Sequence, residues 1–158
     1  MDSEVELSIK RTENELIAAK ALFILSDIAE AKTLLKVPAS ETFYSSVIAH
    51  AYYTIFYAAR TYVVSKGIKL PEQGVHQAVY SAFRKFVRQG KLAEELLALY
   101  EDVKVKAETL LEIFDEEEEN RTKFTYKTFA QANKAPAEKS IQNAEIFLTE
   151  IKGLIGKN

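Results

Sequence analysis

From Thr42 to Ala59 the chain carries no charged side chain other than His50, and this stretch decides most of what the chain can fold into. Phe43, Tyr44, Val47, Ile48, Ala51, Tyr52, Ile55, Phe56, Ala59, Tyr62 and Val63 recur at steps of three and four, the spacing of one broad helical stripe. Ser46, His50, Tyr53, Tyr57, Arg60, Thr61 and Val64 recur at the same steps on the other side. A helix with one face in water normally carries Lys and Glu there, and this one does not. Its second face is therefore expected to be covered too, by another helix of the chain or by a second copy. A covered tyrosine needs a partner for its hydroxyl, so His50, Tyr53 and Tyr57 are read as a polar cluster. The residues leave open whether this face only packs or lines a dimer or a binding site.

The rest of the chain has the same period. Helix one is expected from about Ser3 to Lys36, with Ile17, Ala21, Ile24, Ile28, Ala31 and Leu35 as its buried stripe. Val37-Pro38 ends it, and Ser40 is a good N-cap for helix two, from about Glu41 to Lys66 with Gly67 as its stop. Helix three is expected from about Glu72 to Gln89, ending at Gly90, and helix four from about Leu92 to Glu118. Residues 120–134 have weak periodicity and read as a helix end and loop. Pro136 opens a last helix through Ile141, Ala144, Phe147, Leu148, Ile151 and Leu154. No segment alternates with period two. The expectation is an all-α, up-and-down bundle of four to five helices forming one domain over residues 1–158.

At 158 residues with 47% hydrophobic and 28% charged, the chain can bury a core and is not of disordered composition. No apolar run approaches the ~20 residues that span a bilayer. The charged start MDSEVELSIKRTE does not read as a signal peptide, so a cytoplasmic location is expected. Zero cysteines exclude disulfides, thiol catalysis and thiolate metal sites. A net charge of −2 gives no global attraction to nucleic acid. Local groups are another matter: DEEEE at 115–119 runs into Asn120, Arg121, Lys123 and Lys127, and Arg84, Lys85, Arg88 and Lys91 form a second basic set.

Several chemistries fail on spacing. A di-metal bundle needs Glu-x-x-His pairs, but Val47 precedes His50 and Gln73 precedes His76, so no metal or other cofactor is expected. There is no phosphate-cradling glycine loop and no Gly-x-Ser-x-Gly elbow.

The residues HAYYTIFYAAR at 50–60 resemble the HEPN family, in the subgroup whose second helix carries Ala-Tyr-Tyr-x-x-Phe-x-Ala-Ala-Arg and which is often paired with minimal nucleotidyltransferases. The resemblance continues in order through Gly67, His76, FRKFVRQG at 83–90, Arg121, Tyr126 and AEIFLTEIKGLI at 144–155. It implies a bundle that commonly dimerises around a cleft, in a family whose members often act on RNA as metal-independent ribonucleases or serve in toxin–antitoxin pairs. The family's catalytic pattern is Arg, four to six residues, then His, in which arginine holds the phosphate and histidine moves the proton of the 2′-hydroxyl. Here the three permitted positions after Arg121 hold Tyr126, Lys127 and Thr128, and Thr125 replaces the acidic residue of the subgroup's Asp-Tyr pair. Tyrosine, with an ordinary pKa near 10, is a poor base at neutral pH.

The resemblance thus implies RNA or nucleotide binding at an Arg121-centred dimer cleft. Asn120, Arg121 and Lys123 would meet phosphate, Tyr126 would add a hydroxyl or ring, and His50, Tyr53 and Tyr57 would line the same cleft. Implied partners are a second copy and a nucleotidyltransferase, with no membrane. The competing readings are a non-catalytic dimeric interaction module and a metal-independent ribonuclease with a non-standard base, for which Arg121 and Tyr126 are the catalytic candidates. Enzyme activity stays open at this stage, as does the role of His76.

Overall fold

The structure is a computed structural model that describes residues 2–116 and 134–157, with the side chains of the fifth helix described as far as Thr109. Among these residues there are six helices and no strand: α1 Ser3–Asp27, α2 Ala29–Leu34, α3 Tyr44–Ser65, α4 Val75–Arg88, α5 Glu94–Glu116 and α6 Lys134–Gly156. The architecture is the expected all-α bundle. Its sixth helix arises because the expected first helix breaks at Ile28, whose backbone is extended.

α3 is the axis of the bundle and packs against α1, α4, α5 and α6. Twelve of its residues are buried, among them Val47, Ile48, Ala51, Ile55, Ala59 and Val63 from the expected stripe. α1 covers only part of the second face. Thr61 is buried and His50 and Tyr57 are half-buried, but Ser46, Tyr53, Arg60 and Val64 are exposed, so the expectation of a fully covered second face is corrected. The main core gathers Ile55, Tyr62, Val79, Phe83, Tyr100, Phe147 and Ile151 from α3 to α6. A smaller cluster of Ala19, Tyr44, Val47, Ile48, Ala107 and Ala137 closes the other end. α1 and α6 lie antiparallel, stitched by the ion pairs Glu13–Lys152, Lys20–Glu145 and Asp27–Lys134.

Two expectations for α1 and the start of α3 are corrected. The stripe Ile17, Ala21, Ile24, Ile28 and Leu35 faces outward, with Ile17 and Leu35 each 62% exposed. The buried residues of α1 are instead Ile9, Thr12, Ala19 and Ser26. Two of these are polar and hide their hydroxyls by donating to the preceding turn, Thr12 to the Ser8 carbonyl and Ser26 to the Leu22 carbonyl. Ser40 does not cap α3. That helix starts later, and the N–H of Phe43, its N-cap residue, donates to Ser26 Oγ at 2.7 Å, tying α1 to the entry of α3.

Helix ends show one local conflict. Gly67 and Gly90 take the left-handed backbone with φ of 82° and 72°, and each closes its helix with paired C-terminal hydrogen bonds. Lys36 adopts the same region at φ 57° after α2, where a Cβ is unfavourable. Lys36→Gly is therefore expected to raise the unfolding free energy by about 0.5 kcal/mol, read from urea denaturation at constant slope.

Candidate functional site

The aromatic residues of α3 emerge on the side where α1 and the first turn of α4 approach. His76 stacks on Phe56 with ring centroids 3.9 Å apart, and its Nδ1 lies 2.9 Å from the Tyr52 hydroxyl. Tyr53 stacks on Tyr57 at 6.2 Å and meets His76 edge-on. From α1, Arg11 Nη2 donates to the Tyr57 hydroxyl at 2.7 Å, its guanidinium carbon 4.4 Å from the centre of the ring. Phe56, Tyr57, His76, Arg11, Arg60 and Ser8 line one cleft of about 680 Å³, with Leu70, Pro71 and Glu72 on the opposite lip.

The sequence-derived residues divide. Tyr53 and Tyr57 belong to this aromatic set, but His50 does not. Its Nδ1–H donates to Glu15 Oε2 on α1 at 2.6 Å, so Tyr57 takes its partner from Arg11 rather than from His50. Asn120, Arg121, Lys123 and Tyr126 lie outside the described residues. Thr61, also on this face, receives a hydrogen bond from Ser8 while donating to the Tyr57 carbonyl. His50, Tyr57 and Thr61 on this face thus each take a side-chain partner from α1.

His76 and Arg11 are what sequence reasoning missed. The available signal was the absence of charge from Thr42 to Ala59, which requires neighbours, without saying which residues supply them. His76 is also electrostatically set. Partial burial lowers its pKa below 6.5, so it is neutral at pH 7. Burial, with the Glu108 charge adding, pushes the Tyr52 pKa up to about 12, so this phenol keeps its proton. One ring nitrogen of His76 is thus engaged by the Tyr52 hydroxyl.

Two arginines, a histidine and stacked rings, against the single carboxylate of Glu72, suit a planar base attached to a phosphate. Guanidinium groups hold phosphate bidentately, and aromatic faces accept bases of any sequence. Among the described residues no three His, Asp or Glu side chains gather as a metal site would need.

The family model for the HEPN domain matches residues 25–154, which includes α3, α4, α5 and most of α6. The chain belongs to the HEPN family. No curated protein and no solved structure matches it. At family level, this HEPN chain is a nucleotide- or RNA-related or interaction module, and HEPN domains often dimerise. No described helix is long and apolar enough to cross a membrane.

The lowered pKa of His76 fixes the sign of a pH effect. The folded state favours the neutral ring, so this group's contribution is complete above pH 6.5. It is lost as pH falls through 6.5 towards the folded value. An NMR titration should place the His76 midpoint below 6.5. Between pH 7.5 and 5 the wild type should lose more of its melting temperature than His76→Gln does.

Proposed function

We propose that this HEPN protein binds single-stranded RNA or a nucleotide, with the arginine–aromatic cleft of α1, α3 and α4 as part of the binding surface. The observation that carries the reading is the convergence of Arg11, Arg60, His76 and Tyr57 on one cleft. Arg121, with Asn120 and Lys123, is the further phosphate-binding set that the family resemblance implies, and Tyr126 adds a ring or hydroxyl. A metal-independent ribonuclease is the second outcome of the same experiment. Fluorescence anisotropy with a mixed-sequence single-stranded RNA, in chelator, tests both. Arg11→Ala and Arg60→Ala should each weaken binding about tenfold at low salt, with a shallower salt dependence. The cleavage products of the same RNA, compared with those of Arg121→Ala, report any catalysis. Wild-type protein that neither binds nor cuts RNA would leave the interaction module.

We propose further that the protein acts as a homodimer, in a toxin–antitoxin-type pair with a nucleotidyltransferase. The outward stripe of α1 supports the homodimer. Leu7, Ile17, Ala21 and Ile24 on α1 are exposed, the last three at helical steps of four and three, and Ile28 and Leu35 beyond the break and Ile146 on α6 are exposed apolar residues as well. Sedimentation should give a dimer for the wild type and a monomer of unchanged helicity for Ile17→Lys/Ile24→Lys. A wild-type monomer that becomes a heterodimer only with a nucleotidyltransferase would assign the stripe to that partner instead.

A further inference from the structure

A second cleft of about 680 Å³ lies where the C-terminal ends of α3, α4 and α6 converge. It begins five residues beyond Tyr57 on α3 and about half a turn around that helix, so it opens on a different side from the aromatic cleft. Lys66, Lys85, Lys91 and Lys157 stand around it, with the Gln89 amide between them and no Asp or Glu among its described lining. The floor is apolar, from Tyr62, Phe86, Ile68, Ala82 and Leu154.

Four ammonium groups around one space repel one another, and neighbouring carboxylates usually relieve that. Elsewhere among the described residues Lys20, Lys104, Lys106, Lys134 and Lys152 are each paired with a carboxylate, and Lys10, Lys36, Lys69 and Lys139 are not. None of the four cleft lysines has such a partner among the described residues. Two are positioned instead by rings. Lys66 Nζ sits 5.2 Å from the centre of Tyr62, and Lys91 Nζ sits 5.6 Å from that of Phe86. The two rings meet edge-to-face at 5.5 Å, so both ammonium groups stand over one rigid base.

Offsetting the negative ends of three helices is the plain use for such lysines. At α3 and α4, however, the end carbonyls are already served by backbone. Ile68 N–H donates to the Val63 carbonyl and Gly67 N–H to that of Val64, and Lys91 N–H and Gly90 N–H do the same for Phe86 and Val87. Lysine donors are left for something else. The space falls within the range of small-molecule sites, and a ligand there needs several negative charges and an apolar part for the floor.

We propose that this lysine cleft is a nucleotide-sized polyphosphate site, taking a nucleoside triphosphate without need of a metal and independently of the aromatic cleft. The phosphates would lie among Lys66, Lys85, Lys91 and Lys157, and the nucleoside would cover Ile68 and Leu154. Calorimetric titration of the full chain with ATP in chelator is the first measurement, beside tripolyphosphate, adenosine and a short single-stranded RNA. ATP should bind and adenosine should not. Lys85→Gln/Lys91→Gln should weaken ATP about tenfold or more, while Lys139→Gln, on the exposed side of α6, should leave it unchanged. Amide NMR of the wild type adds a readout that needs no variant, with ATP shifting Gln89, Lys91 and Lys66. Shifts confined to other residues, or affinity unmoved by the double substitution, would overturn the site and leave the lysines as helix-end charges. Loss of RNA binding alone, with ATP never bound, would overturn the nucleotide assignment in favour of a nucleic-acid backbone.

Discussion

The structure hangs on the burial of α3. A helix that packs against every other long helix keeps only a narrow solvated edge, here Ser46, Tyr53, Arg60 and Val64, and its composition follows from that one constraint. Alanines at 51, 58 and 59 let neighbours approach closely, and Ile55 and Val63 fill the space between them. Polar groups on α3 are satisfied by its own backbone, as Thr54 is by the His50 carbonyl, or by another element. Ser8 serves Thr61, Glu15 serves His50 and Arg11 serves Tyr57. All three partners belong to α1. The contact between α1 and α3 is therefore as much a ladder of hydrogen bonds as an apolar seam. The same ladder holds Arg11 where a phosphate would meet it.

One polar atom breaks the pattern. The Tyr100 hydroxyl is buried at the centre of the core with no partner among the described residues, packed by Tyr80, Phe83 and Phe147. Burial drives its pKa well above the phenol range, so it stays a neutral, unsatisfied group. A hydroxyl left like this costs the fold about 1–3 kcal/mol.

How much of this the sequence disclosed depended on where apolar residues and core coincide. In α3 they coincide, and the stripe and the stop at Gly67 were legible, whereas the second face, read as covered, keeps Ser46, Tyr53, Arg60 and Val64 exposed. In α1 they do not. Its inner face spends Thr12 and Ser26 on the core, each hiding its hydroxyl in the helix's own backbone, while its isoleucines look outward. Periodicity reports an apolar face without saying whether it meets the core or another molecule. The aromatic cleft was half legible. Tyr53 and Tyr57 lie on one helix and share a face by spacing alone. His76 and Arg11 arrive from 19 or more residues away in the chain, and no local rule places them. The basic set at Arg84, Lys85, Arg88 and Lys91 was visible as charge, yet only the fold joins two of its lysines to Lys66 and Lys157.

The same central position of α3 sets an order of events during synthesis. α6 supplies Phe147, Leu148 and Ile151 to the core and is made after the other five helices. Until it emerges, the α3 surface it covers stays open, with Ala51, Ile55 and Ala59 unable to find their final neighbours. A chain built this way passes through a state that is helical but unsealed, with apolar surface on show at its centre. α1, first made and held to α3 by its hydrogen-bond ladder, borders that surface and waits with Glu13, Asp27 and the pairing partner of Glu145, Lys20, for the last helix.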